Sequence, residues 1–96
     1  MPDRPDPASL PITLLPRAER DLRGIGYAER KRIADALRSL AEGPGNPDVK
    51  ALRGAVPWLR MPVGDYRVIY RATPAAYVVA RIIHRRDLDR AVATLA

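Results

Sequence analysis

Periodicity divides the chain into a helical first half and a β-rich second half. Positions 12–15, Ile-Thr-Leu-Leu, form a short β-type run that stops at Pro16, a residue suited to the first turn of a helix because its missing N–H would have no partner there. A helix is expected from Pro16 to about Arg23, where Gly24-Ile25-Gly26 breaks the pattern. From Tyr27 to Glu42 it resumes, with Ile33, Leu37, Leu40 and Ala41 at helical spacing, and it ends at the turn cluster Gly43-Pro44-Gly45-Asn46-Pro47. Two helices joined by so short a link make a hairpin whose apolar stripes need a sheet to cover them.

Residues 56–61, 66–72 and 77–83 supply that sheet: they are rich in Val, Ile, Tyr and Trp and bounded by Pro or Gly. Segments 62–65 and 73–75 are short enough to be hairpin connections, which gives a three-stranded antiparallel meander. Residues 86–95 read as a short last helix with Leu88, Val92 and Leu95 on one side. The first eleven residues hold four of the ten prolines and read as an extended arm. The expectation is an α+β protein: an arm at 1–11, then one domain at 12–96.

A chain of 96 residues supports one hydrophobic core, and 47% apolar with 29% charged residues is the balance of an ordinary globular domain. No apolar run reaches the ~20 residues of a membrane span, and the first residues lack the apolar centre of a secretory signal, so a cytoplasmic protein without membrane association is expected. With no cysteine and one histidine, the chain offers no thiol chemistry and no ready transition-metal site, so no metal or cofactor is expected.

Charge changes the picture more. The net +6 arises entirely in the second half: residues 1–49 carry eight basic and eight acidic side chains, residues 50–96 nine and three. Fifteen of the seventeen basic residues are arginine, whose planar fork matches phosphate or carboxylate oxygens two at a time. A GC-rich coding sequence would account for the total but not for the asymmetry, which points to a polyanionic partner.

Strand geometry sharpens this. If Val63-Gly64 is a two-residue turn, Arg60 lies directly opposite Arg67, a like-charge pair that is destabilising unless an anion, a carboxylate or open water relieves it. Arg71 follows on the same face. A three-residue second loop puts Arg81 opposite Arg67, and a two-residue loop puts Ala80 there; both bring the strand end Ile82-Ile83-His84-Arg85-Arg86 next to Asp65 and Arg67. Singly, each arginine reads as solvated surface paired with Asp65, Asp87 or Asp89; together they read as a binding face. Tyr66, Tyr70 and Tyr77 alternate onto the core face as packing residues. Trp58 shares the Arg60 face, placed either to stack on a base or to cover the sheet edge. His84 alone titrates near neutrality without help, which makes it the candidate proton carrier, although strand-end histidines are often structural.

Leu52-Arg53-Gly54, the run Trp58-Leu59-Arg60-Met61-Pro62-Val63-Gly64-Asp65-Tyr66-Arg67-Val68-Ile69-Tyr70 and then Ile83-His84-Arg85-Arg86-Asp87 resemble the RelE/ParE superfamily of bacterial toxins. The likeness covers residues 12–90. It implies a RelE-like fold and the toxin of a type II toxin–antitoxin pair, held inactive by an acidic antitoxin and bound with it to operator DNA. In the RelE branch it implies a ribosome-dependent mRNA interferase, a metal-independent endoribonuclease that blocks translation. Arg67 then matches the arginine stabilising the transition-state phosphate, Arg85 the second phosphate-binding arginine and Arg60 a basic residue on the preceding strand. Arg71, Arg81, Arg86 and Trp58 join the RNA-binding set. The lysine of that pattern two residues before Arg60 is Trp58 here, and no tyrosine follows Asp87, so His84 is the substitute for the missing acid or base. The ParE branch, which poisons DNA gyrase, needs no proton carrier, and a homologue that has lost toxicity but binds antitoxin and operator DNA is a third reading.

Overall fold

The computed structural model describes residues 10–42, 48–52, 55, 57–93 and 95. Its elements are β1 (Ile12–Leu14), α1 (Pro16–Arg23), α2 (Tyr27–Glu42), β2 (Lys50–Ala51), β3 (Leu59–Val63), β4 (Tyr66–Ala72), β5 (Tyr77–His84), a 3₁₀ turn (Arg85–Asp87) and α3 (Leu88–Val92). The α+β expectation holds, as do both long helices. Pro16 occupies the start of α1, and Gly24 stands at its C-terminal end, where the Gly24 N–H donates to the Asp21 carbonyl and the Ile25 N–H to the Leu22 carbonyl. The arm expected at 1–11, the turn cluster at 43–47 and Arg53-Gly54 lie largely or wholly outside the described residues.

The meander is larger than the sequence suggested. Five strands form one sheet in the order β1-β5-β4-β3-β2. β1 runs parallel to β5, and the other neighbours are antiparallel. β1 adds itself to the free edge of β5 by pairing Ile12, Thr13 and Leu14 with Tyr77, Val78 and Val79. β2 is only two residues long, too short to leave an alternation in the sequence.

Both hairpin registers differ from expectation. The β3–β4 turn is Gly64-Asp65, not Val63-Gly64, because Val63 pairs with Tyr66 and Pro62 with Arg67. The reason is backbone chirality: a two-residue turn matching strand twist needs positive φ at its first central position, and Gly64 supplies φ +59° without a Cβ to clash. Arg60 therefore pairs with Ile69 and lies diagonal to Arg67. The β4–β5 connection has four residues, closed by Thr73 Oγ1 accepting from the Ala75 and Ala76 N–H groups. Ile83 stands opposite Arg67 and Arg81 opposite Ile69, so neither register expected for the third strand occurs. An irregularity between Ile69 and Tyr70 then moves the pairing to Val79 and leaves Ala80 unmatched. The bulge restores Val79 to the helix side despite its spacing of three from Ile82.

The sheet is covered on both faces. On one, Ala18, Ile25, Ile33, Leu37 and Leu40 from the helical half pack against Met61, Val68, Tyr70, Val79 and Ile82. Tyr66 and Tyr77 pack partly buried against this cluster, as alternation required. On the other face Leu52, Ile69, Ile83 and Ala91 form a smaller cluster with Trp58, Leu88, Val92 and Leu95 around it. Val68 and Ile69, pointing opposite ways, are both fully buried. No helix among the described residues is long and apolar enough to cross a membrane.

Candidate functional site

The small cover on the second face leaves its margin to basic side chains. Arg60 and Arg67 emerge there from β3 and β4, with Lys50 on β2 directly opposite Arg60. Cross-strand diagonals lie ~7 Å apart, so the guanidinium stems of Arg60 and Arg67 share one groove. Lys50, Arg60, Pro62 and Arg67 with Asp48 line a cavity of about 250 Å³. The like-charge neighbours that the sequence placed at Arg60 and Arg67 are instead Lys50 and Arg60. No ion pair among the described residues involves Lys50, Arg60 or Arg67. Lys50 was missed because a two-residue strand carries no periodic signal.

The hairpin turn aims Arg67. Its Nη1 donates to the Gly64 carbonyl at 3.1 Å and the Tyr66 carbonyl at 2.9 Å. With Nη1 so used, Nε and Nη2 keep free donors for an anion. Arg85 sits at the end of β5 beside the same turn, its N–H on the Asp65 carbonyl at 2.7 Å and its Nε 3.6 Å from Asp65 Oδ1. Both side chains are about two-thirds exposed, and an exposed pair contributes only about 0–1 kcal/mol, so a phosphate can replace the carboxylate. Strand end and turn do converge as the sequence implied.

The remaining candidates divide. Arg81 is not free: Nε and Nη2 donate to the Asp21 carboxylate at 2.8 and 3.2 Å, and the Ile82 N–H donates to it at 3.0 Å. Because β1 stops pairing at Val79, α1 uses Asp21 to satisfy the β5 edge beyond it, and Arg81 neutralises that carboxylate. It is a structural ion pair. Arg71 lies over the Trp58 ring at 5.3 Å, so one face of the indole is already covered, and the side chain packs partly buried against the second cluster. Arg86 is exposed and lines a cleft at the β5 edge.

His84 is not beside Arg67. It stands opposite Tyr66, on the helix side of the sheet, whereas Arg67 faces the other way. Its ring meets Tyr66 edge-on at 5.6 Å, and Nδ1 accepts from the Arg86 N–H at 3.2 Å, capping the 3₁₀ turn. The β4–β5 register separates the two: the irregularity at Ile69/Tyr70 pairs Arg67 with Ile83 and Tyr66 with His84, so His84 and Arg67 alternate to opposite faces. The arginine groove thus presents fixed positive charge, with no imidazole or phenol on its own face among the described residues.

Residues 12–89 match the family model described as the ParE toxin of type II toxin–antitoxin systems, parDE. No curated protein matches the chain. Among solved structures, the fold is similar to the RelB–RelE antitoxin–toxin complex from Methanococcus jannaschii, with a TM-score of 0.68 at 21% identity over 82% of this chain and 96% of that one. It is also similar to a copper-bound mutant toxin from Helicobacter pylori, with a TM-score of 0.59 at 19% identity over 82% and 98% of the two chains. At such identities these structures speak for the fold alone.

Proposed function

The chain belongs to the ParE toxin family of type II toxin–antitoxin systems, and from the basic groove on its sheet we propose that this toxin is a ribosome-dependent mRNA endoribonuclease, neutralised by a cognate acidic antitoxin. The observation that carries the reading is the convergence of Lys50, Arg60 and Arg67 on one cavity, where among the described lining residues Asp48 is the one carboxylate against three cations. An RNA phosphate relieves their repulsion.

In the reaction the ribose 2′-oxygen attacks the adjacent phosphorus and the P–O5′ bond breaks, leaving a cyclic phosphate and a free 5′-hydroxyl. Charge builds on the non-bridging oxygens, where the open edge of Arg67 is aimed and Arg60 and Arg85 stand near. Arg67 is held beforehand by its hydrogen bonds to the Gly64 and Tyr66 carbonyls, so little reorganisation of that donor accompanies the step. The proton leaves the 2′-hydroxyl and reaches the 5′-oxygen through solvent or groups of the ribosome. The antitoxin contact follows from the same charge: an acidic segment folding along the arginine surface, with the pair then bound to operator DNA.

A second reading, poisoning of DNA gyrase, is favoured by two observations: the family model that matches is that of the ParE toxin, and His84 lies on the face opposite Arg67, while a poison needs no proton carrier. One experiment separates the two. After induced expression, new mRNA ends within translated regions support the nuclease, and altered supercoiling with intact mRNA supports the poison. Neither effect leaves a homologue that binds antitoxin alone. Arg67→Ala should lower mRNA cleavage by about 10²–10³-fold, the usual effect of removing one oxyanion donor, while retaining the antitoxin complex; unchanged toxicity refutes the assignment.

A further inference from the structure

Among the described residues no strand lies beside the edge of β5 beyond Val79, and the cleft there is basic. Its volume is about 410 Å³, and Arg17 from α1, Arg86 from the 3₁₀ turn and Arg90 from α3 line it with His84. Two carboxylates also line it, Asp21 and Asp87. Asp21 is saturated by Arg81 and the Ile82 N–H. Asp87 reaches Arg90 only at 4.0 Å, and that arginine side chain is 86% exposed, so the pair holds it weakly. Arg17 and Arg86 enter no ion pair among the described residues. Four guanidiniums against two carboxylates leave the cleft at +2 with His84 neutral, and a concave wall of one sign concentrates anions.

The 3₁₀ turn links this cleft to the groove on β3 and β4. Arg85 turns toward Asp65 beside Arg67, and the next residue, Arg86, lines the cleft. His84 Nδ1 fixes that change of direction by accepting from the Arg86 N–H. From β3 to the outer edge of β5 is two strand spacings, roughly 10 Å, a span that a few nucleotides cover.

We propose that the β5-edge cleft is a second phosphate-binding site, in which Arg17, Arg86 and Arg90 hold the backbone of a single RNA strand that crosses the sheet from the Lys50–Arg60–Arg67 groove. The strand lies across the sheet, with the reacting phosphate at Arg67 and flanking phosphates in the cleft. This rests on the reading that RNA is the substrate, and it extends the site to Arg17 and Arg90, which take no part in the chemistry.

The test is the salt dependence of binding to a short 2′-O-methylated oligonucleotide, which cannot be cleaved, followed by fluorescence anisotropy. Each phosphate contact on a single strand contributes ~0.7 to the slope of log K against log salt concentration. An Arg17→Ala, Arg90→Ala double variant should lose about 1.4 of that slope. An Arg23→Ala, Arg30→Ala double variant, removing equal charge elsewhere on the helical half, should lose less than about 0.5. Circular dichroism confirms the fold of each. Equal slopes for the two variants, or no binding by the wild type at low salt, overturn the cleft. Cleavage of mRNA on programmed ribosomes is measured alongside: a wild type that cleaves while the slopes coincide refutes the cleft alone. A wild type that does not cleave while the cleft variant loses its slope refutes the nuclease reading and keeps the cleft.

Discussion

Asp21→Ala tests how the open edge of β5 is held. The carboxylate receives three hydrogen bonds, two from Arg81 and one from the Ile82 N–H, and the pair is only 15% and 19% exposed. Removing it strands a guanidinium against the sheet and leaves an N–H without its acceptor. Breaking a fully buried pair from one side costs about 3–5 kcal/mol; partial exposure lets water recover some of that, so about 2–4 kcal/mol is expected. For a domain of this size each kcal/mol lowers Tm by about 4–8 °C, so a fall of roughly 8–32 °C should appear in a thermal melt. Arg81→Met in the Asp21→Ala background removes the stranded charge and should restore part of the loss, leaving the unsatisfied N–H at about 1–3 kcal/mol. A single variant melting within about 4 °C of wild type, or a double variant no more stable than the single, would refute this account.

Other substitutions probe the site and its frame. On the proposed nuclease reading, His84→Ala should leave mRNA cleavage within a few-fold of wild type, because the imidazole faces away from Arg67; a loss on the scale of about 10²-fold, the scale of general acid–base catalysis, would restore it as proton carrier. Gly64→Ala places a Cβ at φ +59°, where a side chain costs about 1–2 kcal/mol, and the Cβ itself meets only the ends of Arg32 and Glu29. Denaturant unfolding should show that loss, and a neutral result would mean the turn had changed type. Burial raises the Tyr70 phenol above its ordinary 10.0, with Tyr77 adding to the rise. The folded state therefore holds that proton more tightly than the unfolded chain, so this contribution is complete below about pH 10 and is lost as pH climbs through the raised value. Tyr70→Phe should flatten the alkaline fall in Tm, and an unchanged slope would assign that fall to other groups.

Much of this protein is legible along the chain. Pro16, Gly24 and the spacing of Ile33, Leu37 and Leu40 set the two long helices, since capping and periodicity are local. β4 begins and ends where expected because Gly and Pro punctuate it. The charge asymmetry, and the membership of the arginines in one half, are properties of composition and need no fold.

What the fold decided is which of those residues meet. A turn one residue later in the chain moved Arg60 from opposite Arg67 to its diagonal, and a bulge at Ile69/Tyr70 reset the register beyond it. With a side-chain period of two, the one-residue shift at the bulge changes faces, which is how His84 parted from Arg67, whereas the turn shift left Arg60 on the Arg67 face. Arg81 looked like its neighbours until Asp21, sixty residues away in sequence, claimed it. Lys50 joined the groove only through a strand too short to announce itself. Residue types and local spacing determine which elements form and what charge they carry; non-local pairing determines which charges are neutralised and which are left facing a common ligand.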